Sequence, residues 1–427
     1  MRLRRRFIAI RAATALFLFL LSASCFSQAF VVPADRVVTG VKIRASASAQ
    51  SQEIGKLVLG EQARYLGEVP GWYRIQHPVH GEGFVSKGWT RVVTPADATT
   101  TAAPTFDVYV VDVGTGLAIF VRGVDFSLVY DAGSNDDSTG RFLDFLNTVA
   151  PSLQAIDHLV ISHAHKDHIS MLSGLLDAKD VKSIWDSGVP YASCTYQELL
   201  ERIKDEGASY HTAVFDTGTH QVDFTANCAN QPASVTMSFA HRIQTGPVPL
   251  GQGASMRFLH VDGTERSDLN ENSLVVMLDL AGTRILLPGD SGGGGRASPS
   301  TPPKQTSVEG ALLACCTNDL PASILVLGHH GSKTSSRKAF VDAVQATDYI
   351  VSSGPKPYSG VVLPDQEVLN LVQAMPHARL WRTDENDSAC KTSTTKIGPH
   401  SDGKPGGCNT VHIHIPGASS SYEISVF

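Results

Sequence analysis

Four side chains that often bind transition metals stand within six residues of this chain, at His163, His165, Asp167 and His168. They follow an apolar run at residues 159–161, which predicts the end of a buried strand. Imidazole and carboxylate groups are common ligands of zinc, manganese and iron. In an extended loop, His163 and His165 can turn towards one metal, whereas Asp167 and His168 can face a second position. The spacing therefore predicts one or two divalent metal ions, zinc or manganese.

Two later segments offer the same chemistry at the ends of apolar runs. Residues 284–287 lead into Asp290, and residues 323–327 lead into His329 and His330. Because α/β sheets usually build their sites beyond the carboxyl ends of strands, we expect Asp290 and His329 to reach the first cluster. Asp290 can then bridge two metals, with His329 completing the second. Two metals ~3.5–4 Å apart can share a hydroxide nucleophile.

The candidate catalytic residues are Asp131, Asp167, Ser332 and Lys333. Asp131 lies between an apolar run and a glycine, where a carboxylate either orients a ligand histidine or caps a turn. For Asp112, in a similar position, turn capping is favoured. Ser332 and Lys333 follow the histidine pair, and their hydroxyl and ammonium groups can hold a phosphate or carboxylate oxygen.

Strands and helices alternate from residue 106 onwards. Apolar runs predict strands at 108–113, 117–121, 126–130, 156–161, 274–280, 284–287, 323–327 and 348–351. Amphipathic stretches predict helices at 138–149, 168–177, 196–206, 308–316, 335–346 and 365–374. This interleaving predicts an α/β domain over residues 106–427, with helices covering the sheets. The segment 291–307 is rich in Gly, Ser and Pro, which predicts a flexible loop.

The first hundred residues have a different character. Residues 1–29 combine arginines, a short apolar run and small residues, which predicts a secretory signal peptide cleaved after Ala29. An uncleaved anchor, a lipoprotein cut before Cys25 and a twin-arginine signal are the alternatives. Residues 30–93 place short apolar runs between glycines, which predicts a small all-β barrel. Residues 94–105 predict a linker. We expect an exported protein, periplasmic or secreted, with no transmembrane domain in its mature chain.

The net charge limits the class of partner. Removal of residues 1–29 takes away five arginines and no acidic residue, so the formal charge changes from −6 to −11. Such a chain has no broad basic face for gripping nucleic acid through its phosphates. The charge therefore argues against a processive DNA-binding enzyme.

Six cysteines follow residue 29, and an even number in an exported chain suggests disulfides. Cys194–Cys228 and Cys390–Cys408 are candidate local pairs. Cys315 and Cys316 either pair with each other or take distant partners, and buried free thiols are the alternative throughout. A cysteine zinc site is not expected, because no Cys-x-x-Cys spacing occurs.

The N-terminal pattern resembles a bacterial SH3-like domain. The resemblance rests on the opening at residues 43–47, the Gly-Trp-Tyr at residues 71–73 and the closing Gly-Phe-Val at residues 83–85. It implies contact with the cell wall or with peptides, and a folded spacer is the alternative.

The motif order in the second domain is similar to the metallo-β-lactamase fold, and its finer pattern resembles the C-terminal domain of the competence protein ComEC family. The corresponding motifs stand at residues 111–117, 131–133, 163–168, 270–273, 286–290 and 329–335. The resemblance implies an αββα sandwich whose metal-bound hydroxide hydrolyses a phosphodiester, in nucleic acid or a small molecule. Hydrolysis of a lactone or amide-type small molecule is one alternative. A cell-envelope binding protein with a metal-stabilised scaffold is the other.

The chain departs from that family pattern in three places. Residues 114–117 read Gly-Thr-Gly-Leu rather than Gly-Gln-Gly-Asp, so a polar side chain is missing. Many metallo-β-lactamases bind their first metal through a third histidine, which this chain lacks at the corresponding place. Water, Asn272 or His260 is the candidate to complete the ligand set of that metal. In the segment after Tyr358, residue 362 or 363 stands where the family has a histidine. The lack of a third histidine leaves one-metal occupancy open. The loss of the last histidine argues against a phosphate contact from that segment.

Overall fold

The computed structural model describes residues 29–34, 37, 40–58, 61–77, 79–93, 104–136, 140–224, 228, 233–384, 409–417 and 421–426. The contacts divide the chain into two compact units, Met1–Thr100 and Thr101–Phe427. The predicted domain limits, 30–93 and 106–427, stay predictions. The signal peptide, most of the linker and the Cys390–Cys408 pair fall outside the described residues.

The first unit is built from strands, as the sequence predicts. The strands are β1 (Phe30–Pro33), β2 (Gly40–Arg44), β3 (Glu53–Val58), β4 (Ala63–Val69), β5 (Trp72–His77), β6 (Gly81–Ser86) and β7 (Thr90–Val93). They form one sheet in the order β3-β2-β6-β5-β4-β1-β7. Fully buried side chains from four different strands, Ile43, Leu57, Ile75 and Val85, make its core.

The second unit holds two large sheets and a hairpin. Its strands are β8 (Phe106–Val110), β9 (Ala118–Arg122), β10 (Ser127–Ala132), β11 (Ala155–Ile161), β12 (Asp180–Asp186), β13 (Ser209–Thr212), β14 (Gly218–Asp223), β15 (Ser234–Phe239), β16 (Pro247–Gly251), β17 (Ala254–His260), β18 (Val275–Leu280), β19 (Thr283–Leu287), β20 (Ile324–Val326), β21 (Asp348–Val351), β22 (Arg379–Arg382), β23 (Val411–Ile415) and β24 (Glu423–Val426). The first sheet has the order β13-β12-β11-β10-β9-β8-β23-β24, and the second has the order β16-β17-β18-β19-β20-β21-β22. Strands β14 and β15 pair with each other.

Helices cover the outer faces of both sheets. They are α1 (Arg141–Val149), α2 (Lys166–Ile169), α3 (Leu172–Ala178), α4 (Cys194–Glu206), α5 (Val308–Cys315), α6 (Lys338–Val344) and α7 (Gln366–Gln373). One apolar cluster joins the facing sides of the two sheets. A second joins the first sheet to α1, α3 and α4, and a third joins the second sheet to α5, α6 and α7. These layers form the predicted αββα sandwich.

Each predicted strand and helix of the second domain is present, with small shifts at the ends. The predicted helix at 168–177 is divided, because the backbone N–H of Met171 donates to Ala132 instead of continuing the helix. Strands β12, β23 and β24 have no continuous apolar run, so the runs used for prediction did not indicate them. Strand β23 instead alternates apolar and polar residues, which is the pattern of a strand with one buried face. Residues 291–307 contain neither helix nor strand. None of the helices in the described part of the chain has the length and apolar character needed to cross a bilayer.

Disulfide bonds join two of the predicted pairs. Cys194 bonds Cys228 across a sequence separation of 34 residues, and Cys315 bonds its neighbour Cys316. The first bond connects the N-terminus of α4 to the segment between β14 and β15.

Parallel strands in both sheets end at the same side of the sandwich. In the first sheet β10 runs parallel to β11, and in the second β19, β20 and β21 are parallel neighbours. The hydroxyl of Tyr130 donates to the carbonyl of Leu274, 2.9 Å away, which ties the two sheets together at this end. The backbone N–H of Leu274 in turn donates to the carbonyl of Ser162. The loops that follow β11, β19 and β20 therefore meet.

Candidate metal centre

Metal-ligand side chains from these three loops converge in two groups. Asp167, His168, Asp290 and His330 form one group, and His163, His165 and Asp290 form the other. Within each group the ligand atoms lie within 4.8 Å of one another. Asp290 belongs to both groups, which is the arrangement that a bridging carboxylate requires.

His168 is held by a buried carboxylate on its far side. Its Nδ1 atom lies 2.8 Å from Oδ2 of Asp131, and its Nε2 atom lies 3.2 Å from Oδ1 of Asp290. Asp131 also accepts hydrogen bonds from the backbone N–H and the hydroxyl of Ser162, each at 2.7 Å. A carboxylate that accepts from Nδ1–H leaves the lone pair on Nε2, which is the tautomer that binds a metal. Asp131 therefore positions His168 and does not itself reach the cleft.

His330 is held in the same tautomer by a different acceptor. Its Nδ1 atom lies 2.9 Å from the carbonyl oxygen of Ser352. Its Nε2 atom lies 3.3 Å from Oδ2 of Asp167 and 3.7 Å from Oδ2 of Asp290. The backbone of His330 is left-handed, with φ 55°. Such strain in a non-glycine residue is most common at functional sites.

The neighbouring His329 approaches the same carboxylate from the rim. Its Nε2 atom lies 3.8 Å from Oδ2 of Asp290, and its Nδ1 atom lies 2.6 Å from the hydroxyl of Thr334. Its side chain is 20% exposed, whereas that of His330 is 1% exposed. The sequence favoured His329 of this pair as the ligand. The structure brings both near Asp290, and His330 rather than His329 belongs to a ligand group in the described residues.

The second group lies beside the first. His163 Nε2 is 2.9 Å from His165 Nδ1 and 3.9 Å from Asp290 Oδ2. The other nitrogen of His163 contacts the hydroxyl of Ser162 at 3.0 Å. Burial, together with the nearby His168 and His165, keeps the pKa of His163 well below its usual range. His163 is therefore neutral, as a ligand must be.

Carboxylates dominate the electrostatics of the first group. Burial alone would lower the pKa of His168, but the charges of Asp290 and Asp131 raise it well above its usual value. Burial alone would raise the pKa of Asp290, but His168, His330 and His329 hold it well below its usual value. The centre thus combines buried anionic carboxylates with rings that turn a nitrogen towards them.

The unpaired atoms in this centre show that the residues fit a cation. His168 Nε2, Asp290 Oδ1 and His330 Nε2 are all buried, and none has a hydrogen-bond partner among the described residues. Buried polar atoms rarely stay unpaired, because lost hydration costs free energy. In the metal-free chain the raised pKa of His168 keeps a proton between its ring and Asp290, 3.2 Å away, and a divalent cation can take the place of that proton. Histidine and aspartate donors of this kind suit divalent zinc, manganese or iron.

Two glycines allow the loops to approach so closely. A Cβ atom on Gly133 would lie 2.4 Å from the backbone nitrogen of His168, so only glycine fits beside this ligand. Gly289, next to Asp290, has φ 57° and a would-be Cβ atom 2.9 Å from the side chain of Ser162. At both positions a larger side chain would clash with the neighbouring loop.

The centre opens into a cleft of about 290 Å³. Its lining residues are Asn135, His165, Lys166, Asp167, Tyr191, Asn270, Asp290, His329 and Tyr358. The Tyr358 ring stacks on His330 with 5.4 Å between centroids and 15° between planes. The Tyr358 hydroxyl is buried and has no hydrogen-bond partner in the described part of the chain. Burial and the charges of Asp167 and Asp290 raise its pKa, so the phenol stays protonated and can donate.

Besides Asp131, two further predicted catalytic residues, Ser332 and Lys333, do not line the cleft. Ser332 is 1% exposed, and its hydroxyl accepts a hydrogen bond from Arg296 at 3.1 Å. The ammonium of Lys333 lies 3.0 Å from a carboxylate oxygen of Glu367. Contacts to residues far along the chain therefore hold both groups elsewhere. Lys166, beside the ligand cluster, is the lysine that lines the cleft.

Two residues suggested for the first metal have other partners. Asn272 donates from its amide to the carbonyls of Asp262 and Thr264, at 3.0 Å and 2.7 Å. His260 Nδ1 contacts the carbonyl of Ser273 at 3.0 Å. His260 belongs to no ligand group in the described residues. The Oδ1 atom of Asn272 is buried and has no hydrogen-bond partner in the described part of the chain. Asp112 accepts from the backbone N–H of Gly114 at 3.0 Å, which is the turn cap that its position favoured.

Several residues of the cleft were not singled out as site residues from the sequence. His330 was visible as the second member of a histidine pair, and Tyr358 was visible next to a Ser-Gly turn. Asn135 and Tyr191 carried no sequence signal, because loops far apart along the chain bring them to the cleft.

Comparisons with known proteins agree with this architecture. The model of the metallo-β-lactamase superfamily matches residues 111–354, more than half of the chain. The chain belongs to the metallo-β-lactamase superfamily. A bacterial SH3 domain model matches residues 39–91, within the first unit. The predicted resemblances of both domains are therefore confirmed.

Among characterised proteins, this superfamily member is similar to competence proteins. It is 27% identical to competence protein ComA of Neisseria gonorrhoeae over 275 residues, covering 64% of this chain and 30% of that protein. It is 22% identical to ComE operon protein 3 of Bacillus subtilis (strain 168) over 253 residues, covering 59% of this chain and 26% of that protein. The chain thus spans less than a third of the length of these relatives.

Two solved structures are similar to the chain at low identity and low TM-score. YhfI from Bacillus subtilis is 11% identical with a TM-score of 0.37, covering 65% of this chain and 97% of that one. Igni18, a metallo hydrolase from Ignicoccus hospitalis KIN4/I, is 11% identical with a TM-score of 0.37. The match covers 66% of this chain and 95% of that one.

Proposed function

We propose that this metallo-β-lactamase superfamily hydrolase cleaves a phosphodiester in a nucleotide or nucleic-acid fragment. One observation carries the proposal: buried ligand nitrogens and carboxylates from three separate loops face one another at the floor of a cleft. Divalent metal ions held there would lower the pKa of a water molecule and polarise a phosphoryl oxygen. His163, His165, Asp290, Asp167, His168 and His330 are the proposed ligands, with His329 at the rim.

The protein side chains supply positioning and proton handling. Asp131 and Ser352 hold His168 and His330 in the tautomer that turns Nε2 inwards. Burial would raise the pKa of Asp167, but its contact with His330 and the charge of His168 lower it, so its carboxylate is ionised. An ionised carboxylate that lines the cleft can serve as a ligand or accept the proton of an attacking water.

Cleft residues outside the ligand set favour a phosphate group. Lys166 is exposed, and it lines the cleft together with Tyr358, whose hydroxyl is neutral. A cation and a hydrogen-bond donor at these positions can hold non-bridging phosphoryl oxygens while in-line attack takes place. Tyr191, beside His165, offers a flat aromatic surface next to them. We propose Lys166 and Tyr358, in place of Ser332 and Lys333, as the substrate contacts.

The acidic chain and the size of the cleft favour a small substrate. A cleft of about 290 Å³ is at the small end of ligand sites, which suits one or two nucleotide units rather than a duplex. The motifs that resemble the ComEC family, at residues 163–168, 286–290 and 329–335, imply phosphodiester chemistry. The lactone or amide alternative would use the same centre on a carbonyl carbon.

The activity test compares hydrolysis of phosphodiester, lactone and amide bonds directly. The full chain, with manganese or zinc added, would be assayed on bis(p-nitrophenyl) phosphate, single-stranded DNA, RNA and dinucleotides, and on a lactone and a β-lactam. Cleavage of a phosphodiester that is lost in His165→Ala and kept in Lys333→Ala would support the proposal. Turnover of the lactone or β-lactam alone would show that the bond is wrongly assigned. Stoichiometric metal without hydrolysis of any substrate would favour the scaffold alternative.

We also propose that the first unit brings the enzyme to the cell wall, and that the protein is exported. Trp89 of this unit is 53% exposed, which gives the bacterial SH3 domain an aromatic contact at its surface. Co-sedimentation with peptidoglycan sacculi tests this role, with Trp89→Ala as the matched variant. If wild type and Trp89→Ala sediment equally with the sacculi, Trp89 does not contact the cell wall.

A further inference from the structure

A third group of ligand-type side chains lies far from the cleft, on β8 and β23. Asp107, His412 and His414 each offer an atom within 4.8 Å of the others. His412 Nε2 is 2.8 Å, and His414 Nδ1 is 2.9 Å, from the same oxygen, Oδ1 of Asp107. We propose that these three side chains form a second divalent-metal site, which binds zinc or a similar transition-metal ion and does not depend on the proposed hydrolytic centre.

Strand register explains why these residues face each other. Strand β23 pairs antiparallel with β8, so that His414 stands opposite Asp107 and His412 stands opposite Tyr109. Alternate residues of a strand point to the same face, so both histidines share the face that carries Asp107. The alternating Val108 and Ile413 point instead into the core between the sheets.

The site lies at the opposite end of the first sheet from the candidate metal centre. Asp107 pairs with Arg122 of β9, and Arg122 pairs with Ser127, the first residue of β10. The metal centre is built beyond the other end of β10, next to Asp131. Occupancy of one site therefore needs no ligand from the other.

The immediate surroundings hold the histidines in place. The ring of His412 stacks on Tyr109, with 4.4 Å between centroids and 7° between planes. Tyr109 in turn contacts Phe145 of α1. The guanidinium of Arg122, opposite Asp107, donates to the carbonyl of Val149. A stacked ring loses little further conformational freedom when it binds a metal, because its position is already restricted.

The donor set matches the preferences of transition metals. Two imidazoles and one carboxylate are the protein ligands of many zinc sites, which keep their fourth position for water or another oxygen. Ligand atoms on one tetrahedral zinc ion are about 3.3 Å apart, so contacts of 2.8 Å and 2.9 Å need to open only slightly. Glu423 of β24 stands directly opposite His414 and is exposed, so its carboxylate is a candidate fourth ligand.

A metal ion here would connect distant parts of the chain. His412 and His414 are 305 and 307 residues from Asp107 along the sequence. A metal ion that binds only the folded chain, in which these distant segments meet, stabilises that folded chain. We therefore expect zinc binding to stabilise the packing of the β23–β24 hairpin on β8.

Zinc titration of the metal-free full chain tests the site, with calorimetry and elemental analysis as readouts. We expect His414→Asn to bind one zinc ion fewer than wild type, or to bind it at least about 100-fold more weakly. His412→Asn should have the same effect and lose zinc-dependent protection of β23 in hydrogen exchange. Asp290→Asn should keep zinc at this site and lose zinc from the hydrolytic centre. The titration therefore tests the second site separately from the proposed function.

His377→Asn is the matched control. His377 is exposed, belongs to no ligand group in the described residues and has φ 63°, a conformation that asparagine tolerates. It should bind zinc like wild type. Because the His414 side chain is 41% exposed, its replacement should leave the fold intact, which circular dichroism would verify. Unchanged zinc stoichiometry and affinity in His414→Asn, or an equal loss in His377→Asn, would overturn the proposal.

Discussion

His168 lies between two carboxylates, with Nδ1 2.8 Å from Oδ2 of Asp131 and Nε2 3.2 Å from Oδ1 of Asp290. The first contact determines the tautomer, and the second shows where the free nitrogen points. Replacing Asp131 by asparagine would place an amide N–H or a neutral carbonyl next to Nδ1 and would remove the preference for the metal-binding tautomer.

We therefore expect Asp131→Asn to weaken metal binding by about 10–100-fold with the fold retained. Competition with a chelator would measure the affinity, and turnover at saturating metal would show whether activity recovers. Asp112→Asn is the control for loss of a buried charge, because Asp112 pairs with the buried Arg141 and belongs to neither ligand group of the centre. Equal metal affinity in Asp131→Asn and wild type would contradict the positioning role.

Asp290→Asn should have the largest effect on the centre, because Asp290 belongs to both ligand groups. Loss of its charge removes a ligand from each group at once. We expect elemental analysis to show loss of metal, and phosphodiester turnover to fall by at least about 100-fold. Lys333→Ala is the comparison, since its ammonium is paired with Glu367. Full metal content in Asp290→Asn would rule out the shared-ligand arrangement.

Tyr358→Phe separates substrate contact from metal binding. The phenylalanine keeps the ring that stacks on His330 and removes only the buried hydroxyl. We expect kcat/KM for a phosphodiester to fall by about 10–100-fold, because one hydrogen bond to a charged oxygen is lost, while metal content is unchanged. A variant that turns over substrate as fast as wild type would exclude this contact.

Glu309 should make stability depend on pH. This side chain is fully buried, and burial raises its pKa to about 8 although the backbone N–H groups of Arg337 and Ser336 oppose the shift. The folded chain therefore keeps a proton that the unfolded chain releases near pH 4.5. Its contribution to stability is complete below pH 4.5 and is lost as the pH rises to about 8, at about 1.4 kcal/mol per pH unit.

Urea unfolding of wild type and Glu309→Gln at several pH values between 5 and 8 tests this dependence. The free energy of unfolding of wild type, relative to that of Glu309→Gln, should fall as the pH rises. Parallel curves over this range would show that Glu309 is ionised in the folded protein.

The Cys194–Cys228 bond should stabilise the second unit through the unfolded chain. It closes a loop with a sequence separation of 34 residues, which corresponds to about 3.8 kcal/mol in the chain-entropy estimate. We expect Cys194→Ser/Cys228→Ser to lower Tm by several degrees, measured by calorimetry. The bond between adjacent Cys315 and Cys316 closes almost no loop, so its double serine variant should change Tm far less. The opposite ranking would mean that strain or local packing governs these bonds.

The sequence predicted much of this fold because its strongest signals are local. Buried strands carry continuous apolar runs, and the ligands His163, His165, Asp167, His168 and Asp290 directly follow them. A side chain just beyond a strand has its position set by a few neighbouring residues. Because α/β sheets build their sites beyond the carboxyl ends of strands, these groups were expected to meet. The superfamily and the bacterial SH3 domain followed from the order of such motifs.

Only the tertiary structure decided which neighbours each side chain meets. The carbonyl of Ser352 turns His330 inwards, Glu367 holds Lys333 outside the cleft, and strand pairing brings His412 to Asp107. These partners are separated by 22, 34 and 305 residues along the chain. Local spacing carries no information about such contacts, because they depend on how the two sheets and their connecting loops pack.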